Sequence, residues 1–301
     1  MPRRITPHLN KNNVLNQKKM ATNKNHNKYE TVSEYIKEIE TAETSRLFQK
    51  NVGENWLSSR TEEKDGETWY GTKNYAAAAD LLANGDAAAA AKIDDGVKAK
   101  FAKCATVADA IVKKHRLSIV GGSVNVPAYL AGSPRCMRRQ ITKKVQSKVL
   151  TIVYANTAPW HVGGDELADV NANVVSAIMA IEKAGYRVNL YLLQASSTRD
   201  MKNTCSALIK IKNSGAYINI LNMAYTLINP SFFRRHNFRY IETRKKLGGG
   251  RDWTERYGFT ASERIKKSIL KDEYALKYDV LINFGDIRND TPEQIIKRVI
   301  K

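Results

Sequence analysis

A polar loop follows an apolar run in the sequence VLTIVYANTAPWHVGGD, residues 149–165. In open α/β sheets, ligands bind at the loops that follow the carboxyl ends of parallel strands. The residues of this loop that could contact a ligand are Asn156, Thr157, His161, Gly163, Gly164 and Asp165. The free N–H groups of the two glycines, at the start of a helix, would favour an anion. The interpretation that we favour is that Asn156 and Asp165 only satisfy turn and helix-capping backbone groups.

Arginine and aromatic residues alternate in the stretch SFFRRHNFRYIETRKK, residues 231–246. Such a pattern suits nucleic acid, because arginine neutralises phosphates and an exposed ring stacks on a base. It is also typical of an element whose aromatic residues face the core and whose arginines face solvent. The Gly-rich segment GGGRDWTERYGF follows, and a second basic cluster precedes the run at 149. The predicted nucleic-acid-binding residues are Arg138, Arg139, Lys143, Lys144, Arg234, Arg235, Arg239 and Arg251.

Signatures of catalysis are missing from the sequence. The five histidines have neither HxH nor HExxH spacing, and no GxSxG, GxGxxG or GxxxxGK[ST] motif occurs. The three cysteines are far apart and lack CxxC spacing, which argues against a disulfide framework or a zinc site. We therefore predict no catalytic residues and expect that the protein is not an enzyme.

The formal net charge of +19 is the most unusual global property of the 301-residue chain. A chain this basic tends to bind polyanions, although a Lys- and Asn-rich composition can also reflect codon bias. No apolar run reaches the roughly 18 residues needed to cross a bilayer, and the polar N-terminus does not resemble a signal peptide. We expect a cytoplasmic protein without a membrane partner.

The elements that must position these residues fall into three predicted domains. Residues 1–30 contain seven Lys or Arg and one acid, a composition typical of a disordered basic tail. Residues 31–116 show helical periodicity in TVSEYIKEIETAE and KNYAAAADLLANG. Residues 117–301 show turn-rich β character and then alternate between strands and helices. This alternation predicts an α/β fold with a mainly parallel sheet flanked by helices.

The order of elements after residue 149 resembles the von Willebrand factor A fold. The resemblance rests on a buried strand, a polar loop, an amphipathic helix, a strand that begins after AGYRV and a later strand that ends in FGDIRND. It implies a Rossmann-like three-layer core. The blocks GTKNYAAAADLLANG, VNVPAYLAGSPRCM, EKAGYRVNLYLL and NPSFFRRHNFRYIE resemble an uncharacterised family of bacteriophage-encoded proteins over about residues 31–301. That second resemblance implies a viral origin and brings no established activity with it.

The von Willebrand A resemblance also implies a divalent-cation site at the sheet edge, formed by an Asp-x-Ser-x-Ser loop, a Thr and a later Asp. Such a cation needs oxygen ligands. In this sequence Ala155 stands at the leading Asp and Pro159 at the second Ser, whereas Thr157 can replace the first Ser. The weak candidate ligands are therefore Thr157, Asp165 and Asp286. We expect no cofactor, with Mg²⁺ as the alternative.

Charge and the missing catalytic motifs together predict a non-catalytic phage protein that binds nucleic acid or a phage assembly component through basic surfaces. Its expected location is the host cytoplasm or the virion. One alternative is a protein–protein adaptor for a phage or host protein, which predicts an exposed apolar patch. The other is a metal-dependent enzyme acting on nucleic acid, which predicts converging carboxylates with perturbed pKa values.

Overall fold

The computed structural model describes residues 25–43, 58–62, 69–88, 90–91, 113–142, 148–197, 204–216, 223–243 and 259–300. The predicted tail up to residue 24 and the predicted binding residues Lys143, Lys144 and Arg251 lie outside the described residues.

The described strands are β1 (His26–Tyr29), β2 (Lys113–Ser118), β3 (Ser123–Val124), β4 (Met137–Thr142), β5 (Val149–Ala155), β6 (Arg187–Ser197), β7 (Thr204–Lys212), β8 (Phe259–Thr260) and β9 (Val280–Asn283). The described α-helices are α1 (Val32–Glu43), α2 (Tyr75–Asn84), α3 (Val126–Leu130), α4 (Gly164–Lys183), α5 (Phe238–Glu242), α6 (Glu263–Ser268), α7 (Phe284–Ile287) and α8 (Pro292–Val299). The wider π-helical turns are π1 (Ala224–Ile228), π2 (Phe232–Asn237) and π3 (Ile269–Glu273). A 3-10 turn covers Ser58–Arg60.

The main sheet has the order β1-β7-β6-β5-β9, and β8 pairs with β6 outside this path. Strand β1 runs parallel to β7, and β6 and β9 run parallel to β5. The pairs β6–β7 and β6–β8 are antiparallel. The predicted α/β class, with a mainly parallel sheet flanked by helices, is confirmed.

Strand β5 is apolar without alternation because both faces of the sheet are covered. On one face Ile152 and Tyr154 pack in the core that includes residues of α1, α4 and α8. On the other face Val153 and Ala155 pack with Ile269 and residues around it. The sheet therefore forms the middle of three layers, and its carboxyl edge is the place where the loop after β5 must lie.

Helix α4 begins at Gly164, directly after the loop that follows β5. Leu167 and Val170 are buried and extend the apolar stripe of the helix toward its N-terminus. Gly185 follows the helix with a φ of 94°, a conformation that favours glycine and ends the helix. Among the described helices, none is both long and apolar enough to cross a membrane.

The N-terminal region shares the core of the α/β region. Strand β1 lies within residues 1–30, so the prediction of a disordered tail is wrong for residues 26–29. Tyr35 of α1 is fully buried, and its ring centroid lies 5.9 Å from that of Phe232. The predicted boundary at residues 116 and 117 also falls inside β2. Packing therefore joins residues that the sequence analysis had assigned to separate domains.

A second, small antiparallel sheet has the order β2-β4-β3, and α3 lies between β3 and β4 along the chain. Gly121, before β3, packs so tightly that an added Cβ atom would lie 2.4 Å from the backbone oxygen of Arg138. A glycine is therefore required where this loop folds back on β4.

Candidate functional site

The arginines predicted to bind nucleic acid in residues 231–246 are buried. Arg234 and Arg235 have no exposed surface, and Arg239 is 4% exposed. Arg234 donates hydrogen bonds to the backbone oxygens of Trp69 and Val162, each at 2.6 Å. These guanidinium groups cannot reach a phosphate in this conformation, so the prediction of an exposed arginine interface is wrong here.

Arg235 holds two N-terminal segments against π2. Its guanidinium group donates to the backbone oxygens of Ser59 at 3.1 Å and Thr61 at 2.9 Å, and to Thr72 Oγ1 at 2.8 Å. Nearby, Glu242 accepts hydrogen bonds from the backbone N–H of Ser59 at 3.0 Å and from its hydroxyl group at 2.5 Å. The guanidinium group of Arg239 lies 3.6 Å from Glu242. These charged residues therefore have a structural role: they satisfy irregular backbone that crosses the core.

Two hydrogen bonds hold the loop after β5 in place. Arg234 of π2 donates to the backbone oxygen of Val162, and the indole N–H of Trp69 donates to the backbone oxygen of Trp160 at 2.7 Å. His161, Gly163 and Asp165 are exposed.

Asn156 and Thr157 are each 2% exposed. Asn156 Oδ1 and Thr157 Oγ1 have no hydrogen-bond partner within the described residues. Gly163, and not Asn156 or Asp165, is the N-cap of α4, and no side chain caps the helix. The interpretation of Asn156 and Asp165 is therefore wrong for helix capping, because neither residue caps α4, and their role in turns stays a prediction.

A buried lysine of α6, which is not among the predicted site residues, reaches the carboxyl edge of β9. Asn283, aligned with Ala155 of β5, accepts a hydrogen bond from Lys266 Nζ at 3.1 Å. Its amide nitrogen donates to Asp286 at 2.8 Å. Lys266 is 3% exposed, and burial lowers the pKa of its amine to about 8. Lys266 precedes the buried Leu270 by four residues, and this helical spacing was the available signal.

The residues at this edge do not fit a divalent cation. The Lys266 amine lies in the same hydrogen-bonded chain as Asp286 and brings positive charge to it. Arg288 pairs with Glu166 in the first turn of α4, and this hydrogen bonding lowers the pKa of the Glu166 carboxyl group. Among the described residues, no group of three or more His, Cys, Asp or Glu side chains could hold a metal ion. We derive no chemistry through a metal at this position.

The small sheet and α3 expose an unusual concentration of apolar side chains. No residue from 116 to 139 is buried. The large apolar residues exposed there are Leu117, Ile119, Val120, Val124, Val126, Tyr129 and Leu130, with exposed fractions between 41% and 78%. A three-stranded sheet normally packs one apolar face to be stable. Within residues 116–139, where side-chain burial is described, both faces of this sheet are open to solvent.

The same sheet is basic. Residues 113–142 contain six Lys or Arg and no Asp or Glu. The exposed members are Arg116, Arg135, Arg138 and Arg139. Arg116 lies directly opposite Arg139 in the β2–β4 register, and like charges in this arrangement repel each other. We call these four arginines and the seven exposed apolar residues the small-sheet surface.

Of the predicted binding residues, the structure therefore leaves Arg138 and Arg139 on an exposed basic surface and removes Arg234, Arg235 and Arg239 from it. The basic cluster that contains Arg138 can be recognised in the sequence. The exposed apolar side chains beside it cannot, because alternation in a strand does not tell whether either face is covered.

Comparison with known proteins identifies a family and no activity. A family model described as a domain of unknown function, DUF7192, matches residues 10–301. No curated protein and no solved structure matches the chain.

Proposed function

We propose that the chain, which belongs to this DUF7192 family, is a non-catalytic binding protein. Its small-sheet surface docks on an acidic partner protein. The observation that carries the proposal is the combination of exposed apolar residues and arginines among residues 116–139, in a segment, 113–142, that contains no Asp or Glu. A phage origin, which the second resemblance implies, would make the partner a phage assembly component or a host protein.

The apolar part of the surface supports a protein partner. Ile119, Val120 and Leu130 are 69%, 73% and 78% exposed. Exposed apolar clusters of this kind mark interaction sites in proteins. Burying one such side chain completely is worth about 1.5–3 kcal/mol, so three or four of them would offset a large part of the roughly 4–15 kcal/mol that association costs. Aliphatic side chains find matching surface on a protein more readily than on a nucleic acid, which offers phosphates and base edges.

The basic part of the surface supports an acidic partner. The repulsion between Arg116 and Arg139 is relieved when a carboxylate binds between them, and each arginine offers a planar set of donors to that carboxylate. The absence of acids from residues 113–142 means that the surface cannot neutralise its own charge locally. Complementary charge would therefore contribute to the choice of partner and to the rate of association.

Nucleic acid is the second candidate partner, and the same charge favours it. Arg138, Arg139 and Arg116 could neutralise phosphates, and Tyr129, 64% exposed, offers a ring for stacking. Binding of this kind depends steeply on salt and does not require the aliphatic residues.

The experiment is co-purification with the full-length chain from nuclease-treated extracts of cells in which the chain is expressed, followed by quantitative mass spectrometry. We expect a partner that is lost when Val120→Asp and Leu130→Asp are combined, and also when Arg116→Gln and Arg139→Gln are combined. A recovered protein counts as the partner only if it also binds the purified chain.

Two variants serve as matched controls. Trp160→Ser removes a side chain that is 81% exposed but lies outside the small-sheet surface, and Lys271→Gln with Lys277→Gln removes two exposed charges elsewhere. Both controls should retain the partner. If the partner is lost equally from the controls and the surface variants, or if nuclease treatment abolishes every interaction, the proposal of a protein partner is wrong.

A further inference from the structure

A large cavity lies between α1, α2, the end of β7 and the turns π1 and π2. None of its lining residues belongs to the small sheet. Its volume is about 1150 Å³, which is sufficient for a small-molecule ligand. The elements around it are joined by buried aromatic contacts, such as the one between Tyr35 and Phe232. The cavity is therefore bounded by core elements and not by a single surface loop.

The floor of the cavity carries two polar side chains that are neutral. Tyr225 Oη lies 2.8 Å from His236 Nε2. Burial lowers the pKa of His236 to about 4 and raises the pKa of the Tyr225 hydroxyl group above its ordinary range. His236 Nδ1 has no hydrogen-bond partner of normal geometry within the described residues, although the backbone of Ala78 lies beside it. Tyr225 is 1% exposed and His236 has no exposed surface, so a ligand reaches this uncharged hydrogen-bonding pair only if the side chains around it move.

Both floor residues come from π-helical turns, Tyr225 from π1 and His236 from π2. Single π-helical turns are rare and are frequent at functional sites. The rings of Tyr75 and Phe232 lie 5.2 Å and 5.7 Å from the His236 ring, measured between centroids. Tyr75 and His236 line the cavity, whereas Phe232 packs behind them, so a flat aromatic ligand would meet the Tyr75 ring first at this end.

The walls and the mouth of the cavity argue against an ionic ligand. Ile36, Leu82 and Met223 are among the apolar wall residues. At the mouth, Lys210 lies 3.3 Å from Glu30, and α1 contributes charges of both signs. The charged lining residues are Lys37, Lys210 and Lys212 against Glu30 and Glu40. Because Lys210 is paired with Glu30 and Lys212 with Glu182, little unpaired charge is left to select a cation or an anion.

We propose that this cavity binds an uncharged aromatic or heteroaromatic molecule, whose hydrogen-bonding group contacts Tyr225 and His236. The ligand occupies the apolar walls with its ring system and directs its polar group to the floor. This binding site is separate from the small-sheet surface, so either proposal can fail without the other.

The test uses Nile red, an uncharged heteroaromatic ketone whose fluorescence rises in apolar surroundings. It is titrated into the full-length chain carrying Val120→Asp and Leu130→Asp, so that the exposed small-sheet residues do not contribute to the signal. We expect saturable binding, which Ala79→Trp weakens by about tenfold or more because the indole fills the cavity. Tyr225→Phe should weaken it by about three- to tenfold through the lost hydrogen bond.

The matched control is Ala76→Trp, because Ala76 is exposed on the same helix and does not line the cavity. Ala83→Trp, at another exposed lining position, replaces Ala79→Trp if thermal unfolding shows that the first variant is not folded. Equal affinity in the cavity-filled variants and the control would overturn the proposal. The absence of saturable binding to the parent chain would also overturn it.

Discussion

Replacing Arg235 with methionine tests whether this arginine stabilises the fold or is available for binding. The variant keeps a long apolar side chain but removes the donors that reach the backbone oxygens of Ser59 and Thr61 and the hydroxyl group of Thr72. Hydrogen bonds to a charged group are worth about 1.5–3 kcal/mol each, and a buried acceptor left without a donor costs about 1–3 kcal/mol. Methionine also removes the cost of burying the guanidinium charge, which offsets part of this loss.

The net expectation for Arg235→Met is a decrease of about 3–5 kcal/mol in the free energy of unfolding. Arg235→Lys should recover only a small part of it, because one ammonium group cannot reach acceptors on separate segments. The assay is urea unfolding followed by tryptophan fluorescence. Arg139→Met, at an exposed position, is the control and should change the free energy by no more than about 0.5 kcal/mol.

The reasoning is refuted if Arg235→Met costs less than about 1 kcal/mol, since a residue with these contacts would then contribute no more than a surface side chain. It is also refuted if Arg139→Met is as destabilising as Arg235→Met. Either result would mean that the buried hydrogen bonds of π2 do not hold the N-terminal segments in place.

Two further substitutions test the interior of the fold. Because burial lowers the pKa of Lys266 from 10.5 to about 8, the unfolded chain binds more protons than the folded one between these pH values, and stability should rise with pH across this window. Lys266→Met should remove about 3 kcal/mol of that rise in the free energy of unfolding, measured by urea unfolding at pH 7.5 and pH 10.5. An equal rise in the parent chain and the variant would contradict the lowered pKa of Lys266. Gly71→Ala should destabilise by more than about 2 kcal/mol, because φ is 77° and the new Cβ would lie 2.6 Å from Asn229 Oδ1. Gly163→Ala, with open space around it, should change the melting temperature little, and equal effects of the two changes would count against the packing described here.

The layer architecture could be predicted because its signals are local. Strand β5 is mostly apolar without alternation, and α4 has apolar residues at helical spacing. The sequence of each element therefore indicates both its type and which of its sides is buried. The edge strand β1 could not be recognised, because the sequence HNKY is polar and only Tyr29 of the four residues is buried. Its pairing with β7 joins residues 180 positions apart, as the contact between His26 and Ser206 illustrates.

The buried arginines could not be predicted from their own segment. Arg234 and Arg235 lie in a π-helical turn, where the 3.6-residue period no longer determines which side chains face the core. Their acceptors include the backbone oxygens of Trp69 and Ser59, about 165 and 176 residues earlier in the chain. A stretch of arginines and aromatic residues is therefore typical of a nucleic-acid interface unless the backbone oxygens that the arginines bond are known.

The claim that the small-sheet surface docks on an acidic protein is tested most directly by calorimetric titration of the purified partner into the full-length chain at several temperatures and two salt concentrations. Burial of the apolar residues predicts a negative heat-capacity change, moderate salt dependence and a loss of affinity of more than about tenfold in the variant with Val120→Asp and Leu130→Asp. A heat-capacity change near zero, with affinity that disappears in salt and is indifferent to these two substitutions, would contradict the claim and indicate a purely electrostatic contact.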